Sequence, residues 1–221
     1  MIRRALIVNA DDLGYDPAID RGIVEAHRRG LVTSATAMVD TPFAAAALAE
    51  APSTLAIGLH LVLDPARADE VSGEIERQLE RFRALRGSAP THLDGHKHAH
   101  AHPSVLPAVA RAARAAALPV RALDGPMRAV LRAQGVRTTD HFLGDAALRP
   151  CWTLERLLAA IEGLEEGTTE LMAHPGYRPE RARTSFGVER EIELASLCDP
   201  RARALIERAE IVLARPGAAS P

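Results

Sequence analysis

The chain has 221 residues, with 27 Lys+Arg against 29 Asp+Glu for a formal net charge of −2, and nine histidines, five of which fall between His92 and His102. There is no basic block, and four Phe, two Tyr and one Trp are the only aromatics, so neither a phosphate-backbone footprint nor a base-stacking platform is present and nucleic acid is excluded as a partner. Lys97 is the single lysine, which removes phosphate-loop and most Schiff-base chemistry, while Cys151 and Cys198 stand far apart and outside any C-x-x-C spacing, against a zinc ribbon or disulfide framework.

At the start of the chain, Arg3-Arg4 precedes only Ala5-Leu6-Ile7-Val8 before Asn9, too short for a signal-peptide core, and no window reaches 18 apolar residues. A cytoplasmic protein without a membrane span is expected. Ala5–Ala10 reads as a strand and Pro17–Arg29 as a helix opened by Pro and stopped by Gly30. Ser34–Val39 reads as a strand, Pro42–Glu50 as a helix, Ala56–Leu63 as a buried strand, Gly73–Leu85 as a charged amphipathic helix ended by Gly87, and Thr91–Gly95 as a strand again. Ser104–Ala117 has a strong helical pattern. Further strands are expected at Pro119–Leu123, Thr138–Leu143, Glu170–Ala173 and Glu210–Leu213, with helices at Gly125–Ala133, Thr153–Glu162, Val188–Leu197 and Arg201–Glu207. Alternating strands and helices without a Pro/Ser/Gly-rich linker imply parallel pairing through right-handed crossovers. The expected fold is α/β, a single irregular (β/α) barrel of the TIM-barrel type, forming one domain over residues 1–221. The first β-turn-α is Asp11-Asp12-Leu13-Gly14, not G-x-G-x-x-G, which argues against an open dinucleotide-binding sheet.

In a parallel barrel the chemistry sits at the carboxyl ends of the strands. Asp11 and Asp12 follow the first apolar run, and adjacent carboxylates there are relieved by a bound cation, although Asp also caps helices. His60 interrupts the apolar run Gly58–Leu63, where a packed core histidine is the plainer alternative. His96, His98, His100 and His102 alternate, so an extended chain would turn them to one side, and which of them binds a metal is left open by the spacing. His174 closes the run Glu170–Ala173, placed to act as a general acid or base. His27 and His141 read as structural or solvent-facing. Two imidazoles with a carboxylate leave a divalent metal open positions, which fits metal-assisted hydrolysis with the spare Asp as base.

Asn9-Ala10-Asp11-Asp12-Leu13-Gly14, Gly30–Thr36, Ile57-Gly58-Leu59-His60-Leu61, Thr91–His100 and Met172-Ala173-His174-Pro175-Gly176 resemble, in order, the YdjC-like carbohydrate deacetylase family, which includes chitooligosaccharide and hopanoid-biosynthesis deacetylases. The resemblance implies a hydrolase with a barrel-like fold that removes an acetyl group from an N-acetylated sugar with the help of one divalent cation, Mg2+ or Zn2+. It implies Asp12, His60 and His96 as metal ligands, Asp11 as catalytic base and His174 as general acid. Asp94, His98 and His100 would be their neighbours, able to orient a ligand. In the family a long insertion often follows His60. Here only Asp64–Gly73 intervenes, so a chitobiose-type substrate is not implied. The expected partner is a small acetylated sugar, with homo-oligomerisation left open. The alternatives are a metal-dependent phosphoesterase on a similar barrel and a non-catalytic metal-binding member of the fold.

Overall fold

The computed structural model describes residues 4–144 and 151–217. Its elements run β1 (Arg4–Leu13), α1 (Pro17–Arg29), β2 (Ser34–Ala37), α2 (Ala44–Glu50), β3 (Ala56–Leu61), α3 (Val71–Arg86), β4 (Leu93–Gly95), α4 (Leu106–Ala115), α5 (Gly125–Ala133), β5 (His141–Leu143), α6 (Leu154–Glu162), β6 (Gly167–Ala173), α7 (Val188–Leu197), α8 (Pro200–Arg208) and β7 (Val212–Leu213). The strands pair in the order β4-β3-β2-β1-β6-β5, with β7 against the start of β1, and every pairing is parallel. α1 shows why such elements form where they do. The Asp16 carboxylate accepts the Ala18 N–H at 2.9 Å, Pro17 loses no bond in the first turn, and Ala18, Ile19, Gly22, Ile23 and Ala26 make one buried face.

The sheet curls into a half-barrel and is not a closed ring. The segment expected as a strand at Pro119–Leu123 makes a single bridge, Leu93 with Val120, and Val120 N donates to the Arg137 carbonyl at 2.9 Å. Pro119 has no N–H to give, and the chain turns at Asp124 into the cap of α5, so one bridge stands where closure needs a ladder. A cavity of about 460 Å³ opens on this side, bordered by Ile7, His92, Arg121, Thr138 and Glu170.

The inward face of the sheet is polar. Asn9, Ser34, Thr36, His60, His92, Asp94, Arg121 and Glu170 are all buried, and they satisfy one another: Ser34 donates to Asn9 Oδ1 at 2.7 Å and Thr36 to Asp94 Oδ2 at 2.9 Å. The apolar core lies on the other face, under the helices, around Leu6, Val8, Ile23, Leu59, Phe82 and Leu171. No helix among the described residues is long and apolar enough to cross a membrane.

The histidine-rich segment departs from the extended chain expected of it. β4 ends at Gly95, and His96–Ala101 curls into a 3-10 turn in which Lys97 (φ 51°) and His98 (φ 56°) are left-handed. His100 folds back against Gly95, where a Cβ would lie 3.0 Å from it. The four alternating histidines therefore do not share one side.

Candidate active site

Two adjacent strand residues normally point to opposite faces. Asp11 and Asp12 nevertheless both line one cavity, because the β1–β2 register shifts between Ala10 and Leu13 and Asp12 adopts φ 72°. This bulge swings the second carboxylate round to join the first. Left-handed backbone costs roughly 1–2 kcal/mol for a residue with a Cβ, and Asp is among the side chains that tolerate it best. The cavity has a volume of about 340 Å³ and is walled by Asp11, Asp12, His60, His96, His98 and His174 among others. Four elements thus bring the five expected catalytic and metal residues together.

His60 and Asp94 are register partners on β3 and β4, and His60 Nδ1–H donates to Asp94 Oδ1 at 2.7 Å. That bond fixes the ring and turns Nε2 toward Asp12. Burial opposes a charged imidazole there, but Asp94, Asp11 and Asp12 push His60 up to about 9. Asp12 Oδ1 lies 3.5 Å from His60 Nε2 and 3.3 Å from His96 Nδ1, without hydrogen-bond geometry to either, and is buried with no partner. Burial pushes the Asp12 carboxyl up, and His96, Arg190 and His60 outweigh it and hold it well below the usual carboxylate range. One oxygen and two ring nitrogens converge, a donor set able to hold a cation.

A second convergence, Asp11, His60 and Asp94, has a cation of its own. Arg121 is fully buried and forks onto Asp11 at 2.7 and 2.8 Å, reaches Asp94 at 2.9 Å and donates from Nε to Glu170 at 2.6 Å. Asn9 Nδ2 adds a bond to Asp11 Oδ1 at 2.9 Å. Burial raises the Asp11 carboxyl, and Arg121 outweighs it, keeping Asp11 below its ordinary value. Asp94 is held lower still by Arg121 and His60 against its burial.

His174 stands at the end of β6, its backbone N–H bonded to Glu193 Oε2 at 2.5 Å and its ring stacked on Phe186 at 5.0 Å. Its ring nitrogens make no hydrogen bond among the described residues, and the residue borders the cavity. The segment between His174 and α7 is pinned by Asp16 Oδ2, which accepts from Arg181 and Ala182 at 2.7 and 2.8 Å. His98 is edge-on to Phe142 and to His100, each at 6.1 Å, and borders the cavity. His100 is fully buried, with neither ring nitrogen bonded. His92 is bonded to Thr91 and Asn9, and His102 caps its own turn through Ser104. Arg121, Arg190 and Phe186 were not found from sequence. An Arg inside the apolar stretch Val120-Arg121-Ala122 was the one available signal.

A half-barrel of parallel strands with paired carboxylates and three histidines at its carboxyl edge is the arrangement of a hydrolytic centre on a (β/α) barrel-like fold. The chain matches the family described as YdjC-like protein over residues 5–68 and 62–208, and it belongs to that family. It is 38% identical to the carbohydrate deacetylase of Geobacillus stearothermophilus, over 89% of this chain and 90% of that protein. It is 32% identical to the chitooligosaccharide deacetylase of Serratia marcescens, over 93% and 95%. Among solved structures, an Enterococcus faecalis protein provisionally described as a cellobiose-phosphate cleavage protein superposes with a TM-score of 0.86 at 28% identity, over 96% of this chain and 97% of that one. A structure described as T48 deacetylase with substrate has a TM-score of 0.55 at 13% identity over 96% and 88%, a likeness of fold.

Proposed function

We propose that this chain, as a single domain, is a metal-dependent N-deacetylase of an acetylated amino sugar or sugar conjugate. The observation that carries this reading is Asp12 Oδ1, buried without a hydrogen-bond partner and facing His60 Nε2 and His96 Nδ1 at ion-pair distance. Its charge is offset either by a proton on His60 or by a metal cation that displaces that proton and is held by all three atoms. Asp12, His60 and His96 would hold one divalent ion, and two nitrogen donors favour zinc over magnesium. Bound there, the ion would polarise the amide carbonyl and make water more acidic. Asp11, kept ionised and oriented by Arg121 and Asn9, takes the proton from the attacking water. His174, whose ring nitrogens make no hydrogen bond among the described residues, gives a proton to the departing amine. The deacetylase relatives support the substrate class.

The second group of convergent donors bears on the phosphoesterase alternative. A two-metal centre would need the place that Arg121 takes between Asp11 and Asp94, which weighs against it. The test is acetate release from a panel of N-acetylglucosamine compounds. Activity that chelation abolishes, that added zinc restores, and that falls at least 100-fold in Asp12→Asn supports the reading. Undiminished activity in Asp12→Asn would sink it.

A further inference from the structure

Arg190 is 1% exposed and sits on α7, more than half the chain away from the strand it touches. Its Nη2 donates to Asp12 Oδ2 at 2.5 Å, its Nε to the Phe186 carbonyl at 3.3 Å, and its own carbonyl accepts the Gly176 N–H at 3.2 Å. A Cβ on Gly176 would lie 3.4 Å from Arg190 Cδ. One residue therefore joins Asp12 and Phe186, through its side chain, to the segment that leaves His174, through its backbone carbonyl, and the Phe186 ring lies on His174. Asp12 is the only carboxylate paired with this guanidinium among the described residues, and Nη1 is buried without a partner.

We propose that Arg190 is a positioning residue that divides the labour of the two Asp12 oxygens. Oδ2 is held by the guanidinium, and Oδ1 alone is left to face His60 and His96. The inference rests on the metal-site reading above and goes beyond it. Asp12 stands in a left-handed bulge, and its carboxylate is otherwise free to rotate and present both oxygens to a cation. A second oxygen would fill a coordination position that substrate needs. Arg190 is also a positive charge close to the place where the cation would sit, so it opposes binding by simple repulsion. The signature of this role is a split: loss of Arg190 slows turnover without weakening metal binding. A residue that merely braced the fold would lower both together.

The experiment compares wild type, Arg190→Met and Arg190→Lys, using Co2+ alone as the probe. Co2+ affinity is measured by calorimetry, the coordination state by visible absorption of the Co2+ protein, and kcat and KM by acetate release from the N-acetylglucosamine compound of the panel that wild type turns over fastest. Arg190→Met is expected to bind Co2+ at least as tightly as wild type and to lose visible absorption intensity as coordination rises. Its kcat should fall about 30-fold or more with KM within threefold, and Arg190→Lys should fall between. Wild-type absorption and kcat in Arg190→Met overturn the proposal. So does a loss of Co2+ affinity that matches the loss of activity and is cured by excess Co2+. If Arg190→Met does not fold, Arg190→Lys decides by the same readouts. Failure of wild type to bind Co2+ overturns the metal-site reading itself, a result distinct from either variant outcome.

Discussion

Gly58 lacks a side chain because the His92 ring takes the space. A Cβ there would lie 2.5 Å from His92 Cε1, and the ring cannot retreat, being held by Thr91 Oγ1 at 2.8 Å and Asn9 Oδ1 at 2.9 Å. Burial lowers His92 to about 4, so the ring is neutral, accepting from Thr91 and donating to Asn9. Asn9 in turn holds Asp11. Gly58→Ala should therefore cost roughly 1–3 kcal/mol by overpacking and slow turnover through Asn9 and Asp11. Urea denaturation and acetate-release rates check both, and a Gly58→Ala protein as stable as wild type would show that the ring has room. At this scale, Asp11, Asp12, His60 and His174 stand out in the sequence because each interrupts or ends an apolar run, whereas His96 is singled out among its neighbours only by the family resemblance; all five border one cavity. Arg121 and Arg190 stayed hidden because arginine is common along this chain and their partners lie 110 and 178 residues away. Such pairings leave no local pattern. Nor did alternation settle which histidines act together, because the left-handed turn at Lys97 and His98 depends on the end of β4.

α1 carries a carboxylate that works against the fold at neutral pH. Asp20 Oδ1 accepts the Gly14 N–H at 2.6 Å, just beyond the Asp11-Asp12 bulge. Burial pushes its carboxyl up to about 7 despite that bond, and Asp16 and Glu50 add to the rise. The folded state thus binds a proton between about pH 4 and 7 that the unfolded chain has released. Asp20 favours the native state most below its unfolded value, and that contribution is lost as pH rises toward 7. Asp20→Asn keeps an acceptor for Gly14 and removes the charge. It should be more stable than wild type at pH 8, by roughly 1–3 kcal/mol after allowance for partial solvent access, with the difference closing by pH 4. Denaturation curves at the two pH values measure it, and an equal difference at both would refute the assignment. Helices were the most legible elements. Pro17–Arg29, Gly125–Ala133 and Val188–Leu197 form over the residues their pattern indicates, the first opened by Pro17 and stopped at Gly30, because those signals are local. Strand ends were less so: Ser34–Val39 shortens to Ser34–Ala37, and Pro119–Leu123 reduces to one bridge, since a strand exists only where a neighbour completes it.

For the whole molecule, alternating elements disclosed the parallel α/β architecture but not how far the sheet would close. Closure is a matter of ladder pairing between β4 and β5, and the sequence pattern of Pro119–Leu123 resembles that of a paired strand. The open half-barrel still gathers every strand end that matters at one edge, with α7 closing over it through Arg190. The two stretches that match the family meet at residues 62–68, the turn after β3, where Asp64 caps a short 3-10 segment at 2.9 Å from Ala66 N. The proposed function places a single cation between β1, β3 and the turn after β4. A crystal grown with Co2+ and measured on both sides of its absorption edge is expected to show one anomalous peak, bonded to Asp12 Oδ1, His60 Nε2 and His96 Nδ1, with Arg121 still paired to Asp11 and Asp94. No peak there, or a pair of peaks with Arg121 displaced, would rule the single-cation site out.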